Sequence, residues 1–213
     1  MSQPERTVVH FVRHGEVHNP GRILYARLDG YHLSDLGRTM ADVMADHFAA
    51  NDVMAVISSS LQRARETAGP IADRHGLPVR IDDRVIEAAN AFEGRPTTLS
   101  TFLRPSGLRR MYNVTRPSWG EPYTAIAERM TSALNDARDL ARGREAVVVS
   151  HQLPIWTLRN TVEGRRLWHD PRRRECSLAS VTSFAFAGAE LTSVSYAEPA
   201  GHLLARASTV AGA

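Results

Sequence analysis

The sequence contains three short apolar runs that each end in a cluster of polar residues, and this pattern limits the possible folds most strongly. The runs cover residues 7–12, 53–57 and 146–149, and they are rich in valine. Apolar runs of this length are typical of strands that are buried on both faces of a parallel sheet. Because stretches with helical spacing follow the runs, the chain is expected to have a βαβα order. That order predicts an α/β fold, a three-layer α/β/α sandwich with a mostly parallel central sheet.

The helices are predicted from the spacing of apolar residues and from the residues at their ends. Ser34 suits the N-cap of a helix that runs to about Ala49, and Gly76 and Pro78 end the second helix. Pro154 suits the first turn of a later helix. The predicted helices cover residues 34–49, 61–75 and 123–141, and a segment that begins near residue 154.

Three further segments complete the predicted organisation. Residues 179–187 and 190–196 are typical of a late β-hairpin. Residues 88–120 are irregular and contain several glycines and prolines, so we expect a lid or subdomain that selects the substrate. The segment 199–213 is rich in small residues and is expected to be a flexible tail. With these features, residues 1–213 are predicted to form a single domain.

Each predicted strand is followed by residues that can contact an anion. Arg13 and His14 follow the first strand, Arg63 lies about one turn into the helix after the second, and His151 follows the third. Because ligands bind at the carboxyl ends of the strands in such sheets, we expect these residues to meet. Arg63 would also lie near a helix N-terminus, where anions are favoured. The sequence therefore predicts one site at this edge of the sheet.

The composition limits the chemistry of that site. All 26 basic residues are arginine. The chain therefore has no lysine for a Schiff base or a P-loop, whereas arginine forms bidentate contacts with phosphate and carboxylate groups. The net charge is only +3 and most of the arginines are scattered, so no nucleic-acid partner is expected.

The sequence also suggests a compartment. No apolar run is long enough to span a membrane, and the N-terminal residues lack the cleavage site of a secretory signal. The single cysteine, Cys176, cannot form an internal disulfide. We therefore expect a cytoplasmic protein without a membrane partner.

Arg13-His14-Gly15 is the most informative cluster. A neutral imidazole nitrogen of His14 can attack phosphorus and form a phosphohistidine, which water then hydrolyses. The neighbouring arginine can neutralise phosphoryl oxygens, and Gly15 allows a close backbone approach. An isolated tripeptide of this kind is more often structural, so the prediction depends on the three clusters meeting.

A metal site is the main alternative use of the histidines. His10, His14 and His18 are four residues apart, a spacing that could bind a metal on a helix. Residues 7–12 are predicted to be a strand, however, and Gly15 interrupts the pattern. We therefore expect no metal at these histidines.

The clusters together resemble the motifs of the histidine phosphatase superfamily, in its phosphoglycerate-mutase-like branch. The family's R-H-G motif is found at residues 13–15 and its L-S/T-x-x-G motif at residues 33–37. Its S-S-x-L-x-R-A-x-x-T-A motif is matched in full at residues 58–68, and its second histidine matches His151. The motifs follow in the family's order over about residues 7–160. The resemblance implies the family's three-layer α/β/α fold and a mechanism that needs no metal or other cofactor.

The resemblance also implies a role for each motif residue. His14 would be the nucleophile, and Arg13, Arg63 and His151 would hold the phosphoryl group. Glu87, in the family's acidic segment, would donate a proton to the leaving oxygen. That role requires a raised pKa for the Glu87 carboxyl, so that it is protonated near neutral pH.

Three departures from the family pattern affect these assignments. The family often has a phosphate-contacting asparagine six residues after the nucleophile; here that position is proline, and Asn19 is expected to take over from one position earlier. The acidic segment is also one residue shorter, which leaves Glu93 as an alternative acid to the preferred Glu87. The second histidine lies between Ser150 and Gln152 instead of between glycines, which is expected to reshape the pocket wall or to add a polar contact.

These features predict a phosphoric monoester hydrolase that acts on a small phosphorylated metabolite through a phosphohistidine. One alternative is a phosphoglycerate mutase, which returns the phosphoryl group to the substrate; the insert characteristic of the mutases is not recognisable here. Another is a non-catalytic module that binds a phosphorylated ligand. A homodimer through the edge of the hairpin is also left open. The insert's arginines are expected either to contact a second anionic group of the substrate or to form a solvated surface: Arg95, Arg104, Arg109, Arg110 and Arg116.

Overall fold

The computed structural model describes residues 5–96 and 120–208. Within them lie six strands, β1 (Arg6–Arg13), β2 (Val53–Ser58), β3 (Val79–Ile81), β4 (Glu145–Ser150), β5 (Val181–Ala187) and β6 (Glu190–Ala197). The same residues form four α-helices, α1 (Asp35–Phe48), α2 (Gln62–His75), α3 (Tyr123–Leu140) and α4 (Gln152–Val162).

The strands form one mixed sheet in the order β3-β2-β4-β1-β5-β6. Strands β3, β2, β4 and β1 are mutually parallel, whereas the β5–β6 hairpin adds to β1 in antiparallel orientation. Gly188 occupies the turn of the hairpin with a left-handed φ of 63°. The predicted α/β fold, with a mostly parallel sheet and a late hairpin, is therefore confirmed.

Alternate residues of the central strand β4 face two separate apolar layers. Ala146 and Val148 belong to the cluster that contains the buried residues of α3 and α4. Val147 and Val149 belong to the cluster formed with α1 and α2. Because successive side chains of a strand point to opposite faces, a continuous valine run suits a sheet that is covered on both sides. The helices thus complete the predicted three-layer sandwich.

The ends of the first two helices follow the predicted signals. The Ser34 hydroxyl accepts a hydrogen bond from the Gly37 amide at 2.9 Å and so caps α1. Gly76 ends α2 in the left-handed conformation, with φ 62°. Helix α4 starts two residues earlier than predicted, because His151 is its N-cap and Pro154 lies at its third position.

The prediction of a flexible tail over 199–213 is wrong for the part that the structure describes. Residues Gly201–Arg206 form a 3-10 helix that contacts α1. Ala200 and Leu203 are buried in the same apolar layer as α1 and α2. The small side chains that suggested a loose tail instead allow a close approach to the core.

The predicted insert lies mostly outside the described residues, since only 88–96 and 120 of it are described. Its two ends are close together: Asn90 pairs with Gly120 in an isolated bridge, and the Glu121 amide donates to the Ala89 carbonyl at 3.1 Å. Of the arginines predicted to contact the substrate, only Arg95 lies within the described residues. Among the helices described, none has the length and apolar character required to cross a membrane.

Candidate active site

The carboxyl ends of three parallel strands meet directly at the centre of the sheet. Arg13, the last residue of β1, is in register with Ser150, the last residue of β4. The His14 amide donates to the Ser150 carbonyl at 3.2 Å. On the other side of β4, the Ser59 amide donates to the Val149 carbonyl at 3.1 Å. The predicted convergence of the three polar clusters is therefore present.

His14 is completely buried, and one contact fixes the state of its ring. Its Nδ1 lies 2.8 Å from the Gly15 carbonyl oxygen. A carbonyl can only accept, so Nδ1 carries the hydrogen and Nε2 carries the lone pair. The Nε2 atom is buried and has no hydrogen-bond partner among the described residues. Burial, and then the positive charges of Arg63 and Arg13, lower the pKa of His14 well below its ordinary value of 6.5. The ring is therefore neutral and has its lone pair on Nε2.

The loop after His14 lies against the first turn of α1 with no room for a side chain. A Cβ on Gly15 would lie 2.5 Å from the Gly37 carbonyl oxygen, and one on Gly37 would overlap the Glu16 carbonyl. The Gly15 amide donates to the Thr67 hydroxyl at 3.1 Å, and that hydroxyl donates to the Arg63 carbonyl at 2.8 Å. Gly15 is needed for this packing between two backbone segments.

The two motif arginines are held by neutral groups. The buried Arg63 donates from Nη2 to the Ala26 carbonyl at 2.6 Å, and its guanidinium lies 4.7 Å from the centre of the Tyr25 ring. Arg13 donates from Nη1 to the Cys176 carbonyl at 2.8 Å. Neither arginine forms an ion pair with a described residue, and the Nε atom of each is buried without a partner. Buried cations normally require a counter-charge, so this pair favours an anionic ligand.

The ring of His151 lies beside the ring of His14, with centroids 5.1 Å apart. Its Nε2 lies 2.8 Å from the Ser59 hydroxyl, which accepts from the Leu61 amide at 3.2 Å. The hydroxyl hydrogen can therefore go to Nε2, and we infer that the ring hydrogen is on Nδ1. That Nδ1 is buried and has no described partner. Burial is also the largest cause that lowers the pKa of His151 well below 6.5.

Glu87 is buried, with 2% of its surface exposed, and lies close enough to Arg63 and Arg13 for their charges to act on it. Its Oε1 accepts from the Ala88 amide at 2.8 Å, whereas Oε2 is buried without a described partner. Burial raises the pKa of Glu87; the Ala88 hydrogen bond and the charges of Arg63, Arg174 and Arg13 lower it, but burial outweighs them. The carboxyl thus has the raised pKa that a proton donor requires.

The two other predicted residues have local structural partners. Glu93, the alternative acid, is half-buried and accepts from the Arg27 amide at 2.7 Å. Asn19 accepts from the Ile23 amide at 3.0 Å and donates to the Ile23 carbonyl at 2.9 Å. No hydrogen bond to another described residue joins Asn19 to the pocket, so its contact with phosphate stays a prediction. Glu87 is the more buried of the two carboxyl groups, and its preference over Glu93 as the acid stays a prediction.

The two residues that replace the family's glycines both make polar contacts. The Ser150 hydroxyl donates to the Val85 carbonyl at 2.7 Å, which ties β4 to the segment before Glu87. The Gln152 side chain donates to the Cys176 carbonyl at 3.3 Å and accepts from Arg174 Nη1 at 3.2 Å. The expected added polar contact is therefore present.

Sequence reasoning missed three residues around the pocket. Arg174 is visible in the sequence only as the end of a basic run from Arg172, and nothing there separates it from its neighbours. Tyr25, which packs on Arg63, lies in a loop without a motif. Ser59 lies inside the matched motif, and its position in that motif was the available signal for a contact with His151.

The histidines considered as metal ligands do not come together. His10 lies in β1, with Nδ1 2.8 Å from the Ser183 hydroxyl and Nε2 3.0 Å from a Glu145 carboxylate oxygen. His18 stacks on His32. In the part of the chain that the structure describes, no three His, Cys, Asp or Glu side chains are grouped to hold a metal ion.

Known proteins resemble the chain over most of its length. The family model described as histidine phosphatase superfamily (branch 1) matches residues 9–199. The uncharacterized protein Rv0525 of Mycobacterium tuberculosis is 55% identical over 199 residues, which cover 92% of this chain and 98% of that protein. A probable phosphoglycerate mutase, GpmB, of Yersinia pestis is 33% identical over 184 residues, which cover 81% of this chain and 83% of that protein.

A solved structure shows the same relationship in three dimensions. The mycobacterial glucosyl-3-phosphoglycerate phosphatase Rv2419c superposes with a TM-score of 0.69 at 26% identity, and the match covers 84% of this chain and 90% of that chain. The similar proteins thus include a phosphatase and a probable mutase. The resemblance predicted from the motifs is confirmed: the chain belongs to the histidine phosphatase superfamily.

Proposed function

We propose that the protein is a metal-independent phosphoric monoester hydrolase that uses His14 as its nucleophile. One observation carries the proposal. Five buried polar atoms have no described partner and belong to residues whose charges act on one another: His14 Nε2, His151 Nδ1, Arg13 Nε, Arg63 Nε and Glu87 Oε2. Buried polar atoms are almost always hydrogen-bonded in native proteins. A phosphoryl group would satisfy the arginines and His151, and its ester oxygen would accept the Glu87 proton.

In the first step, the Nε2 lone pair of His14 attacks phosphorus. An N–P bond forms, the ester P–O bond breaks, and the proton of Glu87 passes to the leaving oxygen. Arg13 and Arg63 stabilise the charge on the equatorial oxygens, and His151 donates to one of them. The alcohol leaves, and Glu87 becomes a carboxylate.

In the second step, water attacks the phosphorus of the phosphohistidine. The Glu87 carboxylate accepts a proton from this water, the N–P bond breaks, and phosphate is released. The Nε2 lone pair of His14 returns, and Glu87 is again protonated. Nucleophile and acid are therefore both ready for the next substrate.

The two pKa shifts suit this cycle. The pKa of His14 is lowered, so the nucleophile stays neutral, and the pKa of Glu87 is raised, so the acid holds its proton. Burial is the largest cause of both shifts, since it disfavours the charged form of a base and of an acid alike. Burial thus gives both the nucleophile and the acid the protonation state that the reaction requires.

A mutase is the second candidate function, favoured by the relative named as a probable phosphoglycerate mutase. Both functions share the phosphohistidine and differ in which group accepts the phosphoryl. The neighbour named as a phosphatase supports hydrolysis. The complete set of motif side chains argues against a module that only binds. We take the substrate to be a small phosphorylated metabolite in the cytoplasm, and a homodimer remains a proposal.

Hydrolysis of p-nitrophenyl phosphate, measured between about pH 4 and 8 with EDTA present, tests the function. Wild type should turn over, and His14→Ala should not. If wild type is inactive in this assay but converts 3-phosphoglycerate to 2-phosphoglycerate, the protein is a mutase. If it is inactive in both assays, the catalytic proposal is wrong.

A further inference from the structure

Arg174 is a largely buried cation that neutral groups hold in place. It follows a 3-10 turn, Pro171–Arg173, and its Nε donates to His169 Nε2 at 2.8 Å. His169 is fixed as an acceptor there, because its Nδ1 donates to the Leu167 carbonyl at 2.6 Å. Arg174 Nη1 donates to the Gln152 side chain.

No ion pair joins Arg174 to any residue that the structure describes. Arg172, two residues earlier, is exposed and forms the ion pair expected of a surface arginine, with Asp170 at 2.8 Å. Burial lowers the pKa of Arg174, which reflects the cost of holding its charge away from water. A largely buried guanidinium whose hydrogen bonds to described residues go only to neutral groups favours an anionic ligand.

Short contacts connect Arg174 to the phosphoryl pocket. The Gln152 side chain that accepts from Arg174 also donates to the Cys176 carbonyl at 3.3 Å. The same carbonyl accepts from Arg13 Nη1 at 2.8 Å. Arg174 also lies close enough to Glu87 for each charge to act on the other. The charge of Arg174 therefore acts on the group that is proposed to face the leaving oxygen.

The hydrogen bonds of Arg174 to described residues use Nε and Nη1 only, which leaves Nη2 for a ligand. We propose that Arg174, positioned by Gln152, binds a second anionic group on the leaving-group side of the substrate and so selects phosphomonoesters that carry a further carboxylate or phosphate. This inference rests on the proposed phosphatase function. It gives Gln152, which stands where the family usually has glycine, the role of a positioning residue.

The same contact would link recognition to catalysis. The positive charge of Arg174 lowers the pKa of Glu87 against the larger effect of burial. An anion bound to Arg174 offsets that charge and raises the pKa of Glu87 further. A substrate with the second anion therefore keeps its own proton donor protonated to higher pH.

Two ligands that differ only in one group test the subsite. 3-Phosphoglycerate carries a carboxylate where glycerol 3-phosphate carries a hydroxymethyl group. Their inhibition constants against p-nitrophenyl phosphate hydrolysis should differ in wild type by about 10- to 100-fold in favour of the carboxylate, as expected for a charge-assisted hydrogen bond. Arg174→Gln should remove this preference and leave the inhibition constant for glycerol 3-phosphate nearly unchanged. Arg173→Gln, in the adjacent exposed residue, should keep it.

Two further arms refine the result. The pair fructose 1,6-bisphosphate and fructose 6-phosphate asks the same question for a second phosphate, and a preference in either pair identifies the anion that the subsite takes. If Arg174→Gln does not fold, Arg174→Lys takes its place, because it keeps the positive charge. Arg174→Lys should weaken the preference for the second anion, because lysine lacks the planar guanidinium. Gln152→Gly should also weaken it.

The outcomes separate this inference from the proposed function. If wild type hydrolyses p-nitrophenyl phosphate but shows no preference in either pair, or if Arg174→Gln keeps a preference, the subsite is wrong and the phosphatase stands. If wild type hydrolyses nothing, the proposed function is wrong, and calorimetric titration with the same ligand pairs decides the subsite by the same criteria.

Discussion

The Nδ1 atom of His14 lies 2.8 Å from the carbonyl oxygen of the next residue, Gly15. This short backbone contact decides which ring nitrogen carries the hydrogen, because a carbonyl oxygen can only accept a hydrogen bond. The lone pair is then on Nε2, which is buried and has no described partner. The proposed nucleophile is thus oriented by the chain segment that carries it.

The proposed role of Glu87 as the proton donor predicts a specific pH dependence. Its carboxyl must be protonated, so kcat/KM should fall as pH rises through its raised pKa. Glu87→Gln should lose this alkaline limb and slow hydrolysis of an alkyl phosphate by about 10²–10⁴-fold. Its kcat/KM for p-nitrophenyl phosphate should fall less, because kcat/KM reports the first step and p-nitrophenolate leaves without a proton. The pH profiles of kcat/KM for wild type and Glu87→Gln, each measured with an alkyl phosphate and with p-nitrophenyl phosphate, give the comparison.

Glu93→Gln is the matched control for this pH profile. Its side chain accepts from the Arg27 amide outside the set of unpartnered pocket atoms. The alkaline limb should persist in this variant. Loss of the limb in Glu93→Gln and its survival in Glu87→Gln would assign the acid to Glu93 instead.

The backbone contact between Gly15 and Gly37 predicts an unusually costly alanine substitution. In Gly37→Ala the new Cβ would overlap the Glu16 carbonyl, so the variant should lose at least about 1–3 kcal/mol of unfolding free energy. Gly69, inside α2, has open space around a Cβ. Gly69→Ala should gain up to about 1 kcal/mol, because alanine favours a helix. Urea unfolding measures both, and equal effects would contradict the close contact.

The buried histidines predict a loss of stability in acid. The pKa of His151 is lowered below 6.5 in the folded protein, so below pH 6.5 the unfolded chain binds more protons. Its contribution to stability is therefore fully present above 6.5 and is lost as pH falls towards the folded pKa. His14 acts in the same direction. The unfolding free energy of His151→Gln should fall less than that of wild type between about pH 7.5 and 5.5. Parallel curves would show that His151 is not held neutral.

The packing of the C-terminal segment on the core predicts that a substitution there lowers the free energy of unfolding. Leu203 is 7% exposed and packs into the layer formed by α1 and α2. Leu203→Ala should lower the unfolding free energy by about 2–4 kcal/mol. His202→Ala, at the exposed neighbouring position, should change it little. A loose tail would make both substitutions neutral.

Much of the fold could be predicted because its signals are local. The valine run of β4 shows a strand covered on both faces, and Ser34 and Gly76 mark helix ends through their own side chain or conformation. The 3-10 helix after Ala200 could not be predicted, because small residues that pack closely on a core give the same sequence pattern as small residues in a loop.

The residues of the candidate site also divide into those that have a local sequence signal and those that do not. His14, Arg63 and His151 could be predicted because each follows a strand that ends at the same sheet edge. Arg174 could not, since the subsite proposed for it depends on its burial and on the charge of Glu87 acting on it, and its neighbours in sequence are surface arginines. The raised pKa of Glu87 also depends on burial, which no local pattern of charges indicates.

Trapping the covalent intermediate tests the central claim most directly. The protein is mixed with a phosphomonoester substrate, quenched in alkali within the first turnovers, and examined by intact and peptide mass spectrometry. One added phosphoryl group should be found on the peptide that contains His14, and it should be absent from His14→Ala. Turnover by His14→Ala at the wild-type rate, or a phosphoryl group on another residue, would contradict the account.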